Sequence, residues 1–95
     1  MKIRFGVGLG VGQSLDTPAQ LGDVVDLLEA LGFDSLWMSD RVTGGALDPI
    51  AALAFAAGRT TKLKLGTNVL VLPGRDPFLM ARQLAAVDQL SGGRL

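Results

Sequence analysis

The sequence predicts a parallel α/β fold made of three successive strand-helix units. Three observations carry that reading. Short apolar runs alternate with longer stretches of helical periodicity, and each helical stretch opens on a polar residue followed by proline. The opening prolines Pro18, Pro49 and Pro77 are separated by 31 and 28 residues, close to the roughly 30 residues of one strand-helix unit. The units run 1–32, 33–61 and 62–95, with no linker between them. An eight-unit (β/α)8 barrel takes about 250 residues, so this chain of 95 holds the first three units of one, incomplete in this chain.

Composition narrows the function classes. Nine basic and nine acidic residues give a formal net charge of zero, which removes the electrostatic case for nucleic acid or an anionic membrane. A small molecule or a protein is the partner class left. Cysteine and histidine are both absent, so a disulfide framework, thiol chemistry and the commonest metal ligand are all missing, and no metal site is expected. The chain is 48% apolar with a mean hydropathy of +0.39, a supply that suits elements buried from both sides. The longest uninterrupted apolar run, Ile50 to Ala57, falls short of the about 20 residues that span a bilayer. Lys2 and Arg4 before Phe5 to Val11 superficially suggest a signal peptide, but alternating glycines weaken it and no clear cleavage site follows. A soluble cytoplasmic protein is expected.

The first strand is read over Ile3 to Leu9, passing into a glycine-rich loop that ends at Gln13-Ser14. Gly6, Gly8, Gly10 and Gly12 do not make a dinucleotide fingerprint, because the third glycine it requires falls on Val11, Gln13 or Leu15. Their expected use is close approach of backbone or admission of a ligand. Thr17-Pro18-Ala19-Gln20 is a capping box. Leu21, Val24, Val25, Leu28 and Leu31 then follow helical spacing, Asp23, Asp26 and Glu29 form a solvated face, and Gly32 stops the helix. A second strand, Asp34 to Ser39, ends at Asp40-Arg41 before a loop with Gly44-Gly45. Asp48-Pro49 opens an alanine-rich helix running to Gly58, whose outer side is free to pack within the chain or on another subunit.

The third unit is the most unusual. Leu63 to Pro77 begins as an apolar strand, is interrupted by Thr67-Asn68, resumes, and turns into a helix at Asp76-Pro77. Buried parallel strands are near-continuous apolar runs, so a polar pair at that depth marks either a bulge or a ligand site at the carboxyl end of the sheet. The last helix, Phe78 to Leu90, places Met80, Leu84 and Val87 on one face and stops at Ser91-Gly92-Gly93. Arg94-Leu95 stand where a fourth strand would begin.

These residues resemble a known family. Ser39-Asp40 after the strand with Trp37, Asp48-Pro49, Leu65-Gly66-Thr67-Asn68-Val69, Pro73 through Pro77, Gln83, Asp88 and Leu90-Ser91-Gly92-Gly93-Arg94 are similar in order and spacing to the amino-terminal part of the luciferase-like oxidoreductases. The likeness covers essentially the whole chain. It implies a (β/α)8 barrel and either a flavin-dependent monooxygenase or a coenzyme F420-dependent dehydrogenase or reductase. It further implies a non-prolyl cis peptide at Asn68-Val69, in a bulge that supports the cofactor ring, which makes Thr67, Asn68 and Val69 the expected cofactor-binding residues.

Asp40 matches the family aspartate beside the reactive ring, and with Arg41 it is the expected catalytic pair. Arg41 departs from the family pattern, standing where many relatives have histidine. Arginine stays protonated and only donates, so it neutralises an anionic cofactor group or forms a surface salt bridge rather than relaying protons. Aspartate at position 40 is closer to the F420 branch, whereas monooxygenase relatives commonly carry glutamate followed by histidine. The resemblance therefore favours coenzyme F420, with FMN as alternative, and hydride transfer to or from a small organic substrate. A non-catalytic fragment or subunit acting by oligomerisation is the competing class. Three strands cannot close a barrel, and their open edges predict self-association, a homo-oligomer or domain swap, and no catalysis by the isolated chain.

Overall fold

Strands β1 (Gly6–Leu9), β2 (Ser35–Met38) and β3 (Lys64–Thr67) alternate with helices α1 (Pro18–Ala30), α2 (Pro49–Arg59) and α3 (Pro77–Leu90). The computed structural model describes residues 2–9, 15–41, 43 and 47–95, so the Gln13-Ser14 loop end and Gly44-Gly45 lie outside the described residues. The strands form one parallel sheet in the order β1-β2-β3. Their registers align Gly6 with Ser35 and Lys64, and Gly8 with Trp37 and Gly66. Among the described residues no helix is long and apolar enough to cross a membrane.

Each helix starts as its sequence requires. Thr17 Oγ1 accepts from the Gln20 N–H at 3.1 Å, Asp48 Oδ2 from Ala51 at 2.9 Å, and Asp76 Oδ1 from Phe78 and Leu79 at 2.9 and 3.1 Å, with proline next in every case. These caps satisfy amide groups that the helix itself leaves unpaired. Helices α1 and α3 end alike: Phe33 N–H donates to Leu28 O and Gly32 N–H to Glu29 O, as Gly93 does to Asp88 and Gly92 to Gln89.

The core lies between the helices and one face of the sheet. Leu9, Leu36, Met38 and Leu65 meet Leu21, Val25, Leu28, Ile50, Leu53, Ala56 and Val87 there, all buried. Several expected boundaries move. The first strand is confined to Gly6–Leu9, because Ile3 and Phe5 are exposed and the chain before the strand is held through Phe5 and Asp34, whose N–H groups donate to Asp34 Oδ2 and Phe5 O. The second strand is Ser35–Met38, since Asp34 and Ser39 serve as hydrogen-bonding ends. Helix α2 continues past Gly58 to Arg59. Leu31 is 65% exposed rather than packed, because it sits at the α1 cap beyond the last buried turn.

Two long-range ties at the amino-terminal end of the sheet went unread in the sequence. Glu29 does more than face water: its carboxylate, half-buried, accepts from the backbone N–H groups of Thr61, Lys62 and Leu63. Arg94 forks into the end of α2, with Nη2 donating to Ala57 O and Thr60 O, Nη1 to Thr60 Oγ1 and Leu63 O, and Nε to Ser91 O. A guanidinium there matches the partial negative charge of a helix carboxyl end. Leu65 N–H also donates to Arg94 O at 2.8 Å, so the chain after α3 returns alongside β3.

On the sheet face away from the helices, Trp37 lies across its neighbours. Its Nε1 donates to Ser35 Oγ at 2.9 Å, and a Cβ at Gly66 would stand 2.5 and 2.7 Å from indole carbons Cζ3 and Cε3. Glycine at 66 is thus the partner the indole requires, and Gly6 meets the Nε1 side of the ring in the same way. Gly66→Ala is expected to lower stability by about 1–3 kcal/mol in urea unfolding, the cost of overpacking. In a Trp37→Ala background the same substitution should lose most of that penalty.

Glu29 supplies a pH prediction. Desolvation pushes its pKa up, but the N–H groups of Lys62, Thr61 and Leu63, with the Arg94 charge, outweigh it and hold the carboxyl below its ordinary 4.5. A depressed carboxylate contributes stability above its unfolded pKa and loses it as the pH falls through the folded value. The stability difference between wild type and Glu29→Gln should be constant above about pH 5 and shrink on acidification below 4.5. A difference that grows on acidification would contradict this.

Candidate functional site

The carboxyl ends of β2 and β3 are stitched together residue by residue. Asn68 N–H still donates to Met38 O at 2.9 Å, continuing the ladder one residue beyond β3. The Asn68–Val69 peptide then is cis, and the strand does not resume. Ser39 Oγ donates to Asn68 O at 3.0 Å, and Asp40 N–H donates to Val69 O at 3.2 Å. The two carbonyls at the bulge are thus turned toward β2, while Asn68 and Val69 stay exposed, Val69 at 69%. The strand expected to resume after Thr67-Asn68 does not, because the next backbone groups bond to Asp40 and Arg75 instead of to a strand.

The Asp40 carboxylate is the next anchor. Its Oδ2 accepts from Val71 N–H at 2.9 Å and from Arg75 Nη2 at 3.0 Å, and its side chain is only 6% exposed. Arg75 Nη2 also reaches Asp48 Oδ1 at 2.8 Å, and Arg75 Nε donates to Val71 O at 3.1 Å. One guanidinium therefore joins the end of β2, the segment after β3 and the cap of α2. Arg75 arrives there through a turn, in which Arg75 N–H donates to Leu72 O at 3.0 Å and Gly74 takes φ 87°. Proline followed by a positive-φ glycine at the two central positions is the chemistry of a type II turn.

Asp48 is a helix cap and an ion-pair partner at once. Burial raises its pKa, but the Ala51 N–H and the Arg75 guanidinium overcome that and hold its carboxyl below 3.8. Arg75 is correspondingly pushed above its already high value, first by Asp48 and then by Asp40. One arginine, Arg75, thus stands between two carboxylates.

The five residues singled out in the sequence do converge. Asp40, Thr67, Asn68 and Val69 stand together at the strand ends, and Arg41 follows Asp40 on the exposed side. Arg41 makes no ion pair with Asp40, whose cation is Arg75, so the neighbouring-charge salt bridge expected as one use of Arg41 is not formed. The residues missed are Arg75, Ser39 as a donor, and Asp48 beyond its capping role. The available signal was a charged residue between the Pro73-Gly74 turn and the Asp76 cap, at a place where neither element needs a charge.

Comparison with known proteins identifies the family and the fold. The family model for luciferase-like monooxygenases matches residues 1–95. Limonene 1,2-monooxygenase of Rhodococcus erythropolis is 34% identical, over 99% of this chain and 26% of its own length. The coenzyme F420-dependent tetrahydromethanopterin reductase of Methanopyrus kandleri superposes with a TM-score of 0.80 at 29% identity, over 99% of this chain and 26% of the other. A monooxygenase from Streptomyces bottropensis superposes at 0.82 with 30% identity, over 98% of this chain and 31% of the other. This chain therefore spans about a quarter to a third of the proteins it matches, and with that share it belongs to the luciferase-like monooxygenase family.

Proposed function

We propose that this chain is the amino-terminal, cofactor-carrying part of an oxidoreductase that uses coenzyme F420 and transfers hydride to or from a small organic substrate. The observation that carries the proposal is the exposed Asn68-Val69 bulge, fixed by Ser39 and Asp40 at the carboxyl end of the sheet, where parallel α/β folds gather their ligands. The residues fit a planar, partly apolar ring system. Val69 presents exposed apolar surface, the carbonyls of Asn68 and Val69 are already bonded on their inner side, and Thr67 begins the polar margin.

The chain's own residues then have distinct tasks. Thr67, Asn68 and Val69 bear and orient the ring. Asp40, its Oδ2 committed to Val71 and Arg75, keeps a carboxylate beside the ring, and the exposed Arg41 neutralises an anionic group of the cofactor without exchanging protons. When bound, the cofactor supplies hydride transfer if it is the deazaflavin, or oxygen activation if it is reduced FMN. The FMN reading has support of its own, since two of the three relatives described above are monooxygenases. Substrate selection and the tail of either cofactor fall to parts of the barrel beyond these units, and the open edges of the sheet are closed by further strands or by a second copy.

Titration of the intact protein with F420 and with FMN, followed by fluorescence, separates these readings. Saturable binding of F420 with FMN excluded is the expected result, and saturable binding of FMN alone assigns the monooxygenase alternative. Binding of neither defeats the proposal. Val69→Asp, a change at an exposed position, should weaken binding about tenfold by placing a charge against the ring while leaving the unfolding midpoint nearly unchanged.

A further inference from the structure

We propose that Arg75 is the positioning residue of this site: its guanidinium sets the course of the chain through the bulge and holds Asp40 in place, so cofactor affinity depends on a residue that touches neither cofactor nor substrate. The inference rests on the cofactor assignment above, and on four observations that do not.

Val71 is clamped through both of its backbone groups, its N–H by Asp40 Oδ2 and its C=O by Arg75 Nε. Two residues earlier the Val69 carbonyl is held by the Asp40 backbone N–H. The exposed bulge is therefore bounded on its far side by a rigid point that Arg75 and Asp40 make together. The pair is also desolvated: the side chains of Arg75 and Asp40 are 23% and 6% exposed, against 39% and 48% for the surface pair Arg59–Asp26. Removing one member of such a pair leaves an uncompensated buried charge, so the carboxylate would move toward water and take the Val71 amide with it.

Arg75 serves three acceptors from three segments with one planar group. A lysine ammonium is a point charge on a flexible stem and does not reproduce that fork. Finally, Asp40 takes both Val71 N–H and Arg75 Nη2 on the same oxygen, Oδ2. Arg75 thereby fixes the orientation of that carboxylate.

The test compares Arg75→Lys and Arg75→Gln with Arg94→Gln in the intact protein. Arg94 ties α2 to α3 at the opposite end of the sheet, so its variant reports loss of stability alone. Three readouts are needed: the dissociation constant and the visible circular dichroism of whichever cofactor the wild type binds, and amide hydrogen exchange at Val71 without cofactor. Arg75→Lys should raise the dissociation constant about tenfold or more, the effect of losing charge-assisted hydrogen bonds. It should also change the dichroism and accelerate Val71 exchange, whereas Arg94→Gln lowers the thermal midpoint and leaves all three as in wild type. Should Arg75→Gln fail to fold, Arg75→Lys keeps the charge and carries the test. Unchanged affinity and unchanged Val71 exchange in Arg75→Lys would overturn the inference while leaving the cofactor assignment intact. A wild type that binds neither cofactor would instead overturn the assignment, and with it the role in affinity.

Discussion

The short end of β2 is the constraint on which the candidate site depends. Ser39 and Asp40 use a hydroxyl, a backbone amide and a carboxylate to hold Asn68 O, Val69 O and Val71 N–H. A chain leaving a parallel strand normally has water to satisfy its polar groups. Here three backbone groups are bonded to the neighbouring strand end instead, and Arg75 balances the charge that this arrangement buries. β3 ends at Thr67, and from Asn68 to Val71 the backbone is gripped by the end of β2.

The opposite end of the sheet is built for stability. Glu29 from α1 holds the amides that lead into β3, and Arg94 after α3 holds the last carbonyls of α2. At this end Glu29 and Arg94 meet backbone groups, whereas at the other end Arg75 joins two carboxylates beside the exposed apolar surface of Val69. That division matches the general use of barrels of this class, with chemistry at the carboxyl ends of the strands and stability at the amino ends.

Much of the fold was legible because its signals are local. Thr17, Asp48 and Asp76 cap the helices that their following prolines announced, and Gly32 and Gly92 end two of them. Of the candidate site, resemblance named Asp40 and Thr67 to Val69, and the cis peptide expected between Asn68 and Val69 is present. The ties that escaped join residues about 30 or more positions apart, Arg75 with Asp40 and Arg94 with Thr60 and Ala57. No periodicity links such pairs, because each depends on where neighbouring units fall in space. Trp37 and Gly66 belong to the same class: the glycine reads as a weak strand residue until the register sets it beside the indole.

A crystal structure of the intact protein with its cofactor bound tests the central claim most directly. The account predicts the ring against Asn68-Val69, with Arg75 still bonded to Asp40 and to the Val71 carbonyl. A ring seated elsewhere in the barrel, with the bulge covered only by protein, would contradict it.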